Sequence, residues 1–313
     1  MNLRIGTRDL ILIRFLGRYK KIKAIDCKKI YKSKDYYLKR LKALEKARYI
    51  RRENRYYIKI DIEGRKLLND LGYYNYNICR NKDYQERIKN ITKIAMLTLD
   101  SDIEFIPSWE LKENQIYTDS GRKYIGELKY MRKKYIVYYI SYRNEPIYAK
   151  QIVTDINKMF SYDDVIVFLE DFSLLNKRNK YFMFGKESVE LIIPSEENLE
   201  MMKLLENIDC YDILKSIYKD NEILLSNWDK ADYKLDNGLY IVFMPFINTE
   251  KLHALNIFYG EDKKQEREIV ILTLQENIKK INEILVKKTN IVAIDEVIEN
   301  ITNIEISEEY EFA

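Results

Sequence analysis

Glu127-Leu-Lys129 is the stretch whose residue types and spacing come nearest to catalysis. On a strand, positions i and i+2 share a face, so the carboxylate can hold a divalent metal ion while the ammonium polarises water. That spacing suits metal-dependent phosphodiester hydrolysis, with Asp102 or Asp119 as the other metal ligand. The same tripeptide recurs at Glu110-Leu-Lys112, and a chain with 54 Lys+Arg and 50 Asp+Glu produces it often. A solvated strand face accounts for it more readily, so Glu127, Lys129, Asp102 and Asp119 remain weak candidates and no catalytic residue is assigned.

Other chemistries find less support. His253 is the sole histidine, which leaves no imidazole triad or zinc site to build. Nine glycines in 313 residues include no Gly-rich phosphate cradle and no P-loop lysine. The 27 tyrosines invite comparison with tyrosine nucleophiles, but those enzymes also need histidines that this chain lacks. Cys27, Cys79 and Cys210 lie far apart, as buried thiols of a reducing compartment would. No cofactor and no metal are expected.

The stronger signal is basic. Ser33 to Ala47 reads as a helix with Ser33 as N-cap and Asp35 in the first turn. Leu38, Leu41 and Leu44 mark an inward face, and Lys34, Tyr36, Lys39, Arg40 and Lys42 the outward one. Tyr49-Ile50 and Tyr56 to Ile60 then read as strands around the polar tip Arg51-Arg-Glu-Asn-Arg55. Helices at Thr7–Tyr19 (capped by Thr7) and Ala24–Ile30, the basic turn Lys20–Lys23, and a helix from Asp61 to Leu71 closed by Gly72 complete the domain. Helices followed by a cationic hairpin are the winged-helix arrangement. Arg40 and Lys34 are expected at base edges, and Tyr36 and Tyr37 near phosphates or thymine methyls. Lys39 and Ser33 lie on the same helix. Arg51, Arg52, Asn54 and Arg55 form the wing tip, with the arginines on the minor groove or flanking phosphates, and Arg8 and Lys23 are placed for backbone contacts.

Thr7-Arg-Asp before an apolar helix, Leu38-Lys-Arg-Leu-Lys-Ala-Leu-Glu-Lys-Ala-Arg-Tyr-Ile50, and Tyr57-Ile-Lys-Ile-Asp-Ile-Glu-Gly-Arg65 together resemble the replication-relaxation family. The resemblance covers residues 5–72 well and 84–160 loosely. It implies a DNA-binding protein of plasmids and integrative elements, pairing a winged helix with a degenerate nuclease-like domain. Where the family has Gly before the first wing strand, this chain has Ala47-Arg48.

Charge distribution agrees with that division. Residues 1–72 hold 22 Lys+Arg against 8 Asp+Glu, a net of +14, whereas the remainder holds 32 against 42, a net of −10. The expected fold class is α+β: a winged helix-turn-helix domain over 1–74, a linker over 75–83, and a mixed-sheet α/β domain over 84–313. Asp83–Leu99 is a helix of that second domain, or else a dimerisation helix across the first. Ile103–Lys112, Tyr124–Tyr130, Lys134–Tyr142, Asp164–Leu169, the pair Tyr181–Phe184 and Val189–Ile193, Leu239–Met244, Glu268–Thr273 and Ile291–Ile294 read as strands, with helices between them and no internal repeat. The acidic tail from Glu308 reads as mobile. No apolar run approaches a bilayer's thickness and the start lacks a signal-peptide pattern, so a cytoplasmic protein is expected. The expected function is sequence-specific duplex DNA binding, as a homodimer, in replication, conjugative transfer or transcription of a mobile element. The acidic domain would serve self-association or a protein partner. A metal-dependent endonuclease and a ligand-sensing transcription regulator stand as alternatives.

Overall fold

Leu12, Ile13, Phe15 and Leu16 are buried along one side of helix α1 (Thr7–Tyr19), the i, i+3, i+4 pattern of a helix turned to a core. The computed structural model describes residues 3–73, 81–113, 123–142, 146–158, 164–178, 184, 189–261 and 267–311. The chain divides into two units, Met1–Ile116 and Tyr117–Ala313, and its class is mixed α+β. No helix among the described residues is long and apolar enough to cross a membrane.

In the first unit α1 is followed by β1 (Lys21–Lys23), α2 (Cys27–Tyr31), α3 (Tyr36–Lys46), β2 (Ile50–Glu53), β3 (Tyr57–Ile60) and α4 (Ile62–Asp70). The strands form an antiparallel sheet in the order β1-β3-β2, so Lys20–Lys23 is mostly an edge strand and not the expected turn. Ile22, Ile58, Ile50 and Ile60 face the core. Gly64 lets α4 approach closely: a Cβ there would lie 2.3 Å from the Tyr49 carbonyl oxygen. Arg48 takes the left-handed conformation (φ 62°) that favours glycine, and Tyr49 N–H donates back to the Leu44 carbonyl at 3.0 Å to end α3.

The unit continues through α5 (Lys82–Leu97), β4 (Glu104–Pro107) and α6 (Ser108–Glu113). The expected strand over Ile103–Lys112 is thus half helix. Of the expected linker only residues 81–83 are described, and Asn81 Oδ1 caps α5 by accepting from Asp83 N–H at 2.8 Å. Helix α5 packs on α1 and β1 within this unit, so the division falls after it, near 116, and not in 75–83. Thr92 Oγ1 on α5 donates to the Lys21 carbonyl at 2.9 Å, and Tyr19 hydroxyl donates to the Phe105 carbonyl at 2.9 Å.

In the second unit β5 (Gly126–Tyr130) pairs antiparallel with β6 (Lys133–Ile140). Then α7 (Pro146–Asn157), β7 (Asp164–Leu169), α8 (Ser173–Arg178) and β8 (Val189–Ile192) add two parallel strands, giving the order β5-β6-β7-β8. Helices α9 (Glu196–Asn207) and α10 (Cys210–Ile217) and strand β9 (Ile223–Leu225) follow. The same construction then recurs: β10 (Tyr233–Leu235) antiparallel to β11 (Tyr240–Phe243), then α11 (Thr249–Glu261), β12 (Ile269–Thr273), α12 (Gln275–Ile284) and β13 (Asn290–Ala293) as parallel additions. Strand β9 pairs antiparallel with β10 at the far edge. This repeat lies in topology and not in sequence. The two sheets touch where Leu191 N–H donates to the Ile247 carbonyl at 2.8 Å. Helix α13 (Asp295–Glu311) ends the described chain where a mobile tail was expected.

The outer face of the β1-β3-β2 sheet carries Lys21 opposite Lys59, both buried, with α5 against β1. Lys21 Nζ donates to Gln85 Oε1 at 3.0 Å, and Lys59 pairs with Glu53. Burial, with Lys59 and Lys89 nearby, lowers the Lys21 pKa from 10.5 to about 8. Between those values the unfolded chain binds more protons than the folded one, so stability rises with pH across that window. Lys21→Met, which keeps the stem and removes the charge, is expected to raise the melting temperature near neutral pH. It should also abolish the further rise in alkali; an unchanged pH profile by calorimetry would refute the assignment.

Candidate nucleic-acid interface

Asp9 fixes the geometry of the basic surface. Its carboxylate is buried at the start of α1 and accepts from Gly6 N–H at 2.8 Å, from Tyr31 hydroxyl at the end of α2 at 2.8 Å, and from Arg40 Nε on α3 at 2.9 Å. Burial alone would push its pKa up. The hydrogen bonds from Arg40, Gly6 and Tyr31, with the Arg40 charge, outweigh that and hold it below the usual carboxylate value. One anion therefore ties three helices together.

That tie removes Arg40 from the expected set of base readers, because its guanidinium lies on Asp9 and its side chain is only 16% exposed. Tyr37, also expected at the interface, is a core residue at 4% exposure. The inward face of α3 is Tyr37, Leu41 and Leu44, and Leu38 is exposed. Ser33 lies outside the helix proper, whose N-cap is Asp35 and not the expected Ser33, but its Oγ still accepts from Tyr36 N–H at 3.2 Å. Arg8 donates to the Tyr31 carbonyl at the end of α2, and Lys23 is exposed at the end of β1.

Exposed around α3 are Lys34, Tyr36, Lys39 and Lys42. The three lysines have no carboxylate partner among the described residues. Strand β2 runs beside α3, and Arg52 crosses to it, with Nε 3.3 Å from Glu45 Oε2. Arg52 is itself exposed, so this is a surface ion pair. Arg51 is exposed on the strand and the tip is Asn54, Arg55 and Tyr56. Asn54 and Arg55 both adopt positive φ (52° and 59°). A tight hairpin turn of that kind favours Asn-Gly, so Arg55 holds a position where glycine would cost less, by about 1 kcal/mol.

No family model, curated protein or solved structure matched this chain. Its own geometry carries the reading.

Glu127 and Lys129 share a face of β5 as expected, but Glu127 is buried and Lys129 Nζ stands 3.4 Å from it, a local ion pair. Asp102 is exposed in the turn between α5 and β4 of the first unit, and Asp119 lies outside the described residues. Among the described residues no three of His, Cys, Asp and Glu gather as metal ligands would. His253 is exposed on α11.

Asp9 went unnoticed in sequence because a lone aspartate in a first turn reads as an ordinary dipole partner. Asp9→Asn should leave the Arg40 charge half-buried without its anion and cost on the order of 3 kcal/mol. The wild-type contribution is present above the ordinary aspartate pKa of 3.8 and vanishes as pH falls through the lower folded value. Denaturant melts of both forms from neutral to acid pH check this; equal stability near neutrality would show the network to be ornamental.

Proposed function

We propose that the first unit is a winged helix that binds double-stranded DNA, with α3 in the major groove and the β2–β3 hairpin as its wing. The observation that carries this reading is the set of exposed cations Lys34, Lys39, Lys42, Arg51 and Arg55, none with a carboxylate partner among the described residues, on adjoining α3 and hairpin. A net of +14 over residues 1–72 supports it. Tyr36 and Lys39, near the start of α3, take the base edges in place of Arg40 and Tyr37. Lys34, Lys42 and Arg51 grip phosphates, and Asn54 and Arg55 enter the minor groove or flank it. The resemblance to the replication-relaxation family makes the setting a plasmid or integrative element, in replication, transfer or transcription. One such module buries a modest area, so a homodimer on two half-sites is the economical arrangement. The second unit, carrying most of the acidic remainder, supplies self-association or a protein partner.

Selection of bound duplexes from a random pool, with Mg²⁺ present, tests the reading. An intact inverted repeat should emerge. Arg51→Glu with Arg55→Glu should weaken binding to every sequence and reduce the salt slope by about 2. Lys39→Ala should mainly relax sequence preference. Arg55→Gly should stabilise the fold by about 1 kcal/mol and still lower DNA affinity. Absence of any enriched duplex would sink the proposal, and cut ends that disappear with EDTA would reassign the chain to the nucleases.

A further inference from the structure

Within the second unit a cavity of about 350 Å³ opens at the start of β6, β7 and β8. Helix α9 walls one side, and the segment leaving β11 with α11 walls the other. Phe243, the last residue of β11, also borders it. The lining mixes an apolar wall, Met202 and Phe246 among it, with charged groups at one end.

The charged groups are unevenly matched. Lys133 Nζ stands 2.7 Å from Glu206, which also accepts from Tyr135 hydroxyl. Lys251 Nζ donates to both Asp232 oxygens at 2.8 Å and to the Phe243 carbonyl at 2.9 Å. Both ammonium groups are thus already engaged by carboxylates. Glu190, on β8, has neither an ion pair nor a hydrogen bond among the described residues, and it lines the cavity beside Asp164. Glu190 is half-buried, its carboxyl on the cavity surface, so an external donor can reach it there.

We propose that this cavity binds a small organic cation, a primary amine or guanidinium on a short aliphatic chain, with its charge on Glu190 and its chain along Met202 and Phe246. The volume is at the small end of ligand pockets, which suits such a molecule. In the empty cavity burial raises the Glu190 pKa from 4.5 to about 7, with Asp164 and Glu206 adding to the rise and Lys133 and Lys251 opposing it. Binding a cation stabilises the carboxylate, so it must expel the Glu190 proton wherever that proton is bound beforehand. The inference is independent of DNA binding and fails or stands separately from it.

Titration calorimetry of the full chain, free of DNA, with putrescine and agmatine tests it, with 1,4-butanediol and inorganic phosphate as controls. Both cations should bind saturably and butanediol should not. Heats in two buffers of different ionisation enthalpy should show proton release near pH 6.5 that fades in mild alkali. Glu190→Gln, nearly isosteric, should keep the fold, lose at least about tenfold in affinity, or 1.4 kcal/mol, and release no proton. Should that variant fail to fold, proton release by the wild type still decides. Equal binding by Glu190→Gln, binding without proton release, no binding of either amine, or preferential binding of phosphate would each overturn the proposal.

Discussion

A single buried carboxylate sets the arrangement of the first unit. Asp9 draws the amide that opens α1, the hydroxyl that ends α2 and the guanidinium at the middle of α3 onto one pair of oxygens. Orientation then passes outward. Helix α3 packs beside β2, and Arg52 of that strand reaches Glu45 at the surface. The hairpin's second strand, β3, carries β1 at its edge, and β1 in turn is covered by α5. Hydrophobic burial supplies most of the stability and packing limits the helix angles; the directional charge network joins the three helices at one fixed point.

Sequence periodicity showed that Tyr36 to Lys46 is a helix beside a hairpin, because apolar spacing and alternation report on local elements. It placed the inward face one residue off, choosing Leu38 over Tyr37, since a leucine triplet at i, i+3, i+6 fits a helix as well as Tyr37, Leu41 and Leu44 do. Nor does periodicity distinguish a cation facing solvent from one claimed by an anion 31 positions earlier, which is what separates Lys39 from Arg40. Lys20–Lys23 looked like a turn for a similar reason: lysines are rarely buried, and it is pairing with β3, under the cover of α5, that makes Lys21–Lys23 a strand. The candidate nuclease tripeptide was legible as a shared strand face, but its neutralisation by its own lysine was not.

In the second unit most long strands were readable from branched and aromatic runs. The three-residue strands β9 and β10 were too short to leave a pattern, and Ser108–Glu113 turns helical after Pro107 although its neighbours favour strand. The repeat of topology escaped because it resides in connectivity. Lys133–Ile140 and Tyr240–Phe243 occupy matching places with different lengths and little common sequence. Repetition of a strand–helix step can persist after side chains diverge, since handedness and packing constrain connections more than residues.

The ion pairs of the first unit have a further consequence. Arg18 on Glu110, Arg40 on Asp9, Arg52 on Glu45, Lys59 on Glu53 and Lys66 on Glu63 make these side chains each other's counterions. The formal charge of the unit therefore exceeds the charge density seen at any one patch of its surface, and the field is concentrated where cations stand alone. In acid the carboxylates lose their charge while the guanidinium and ammonium groups keep theirs. The unit then carries a reserve of positive charge that self-repulsion turns against its compact state.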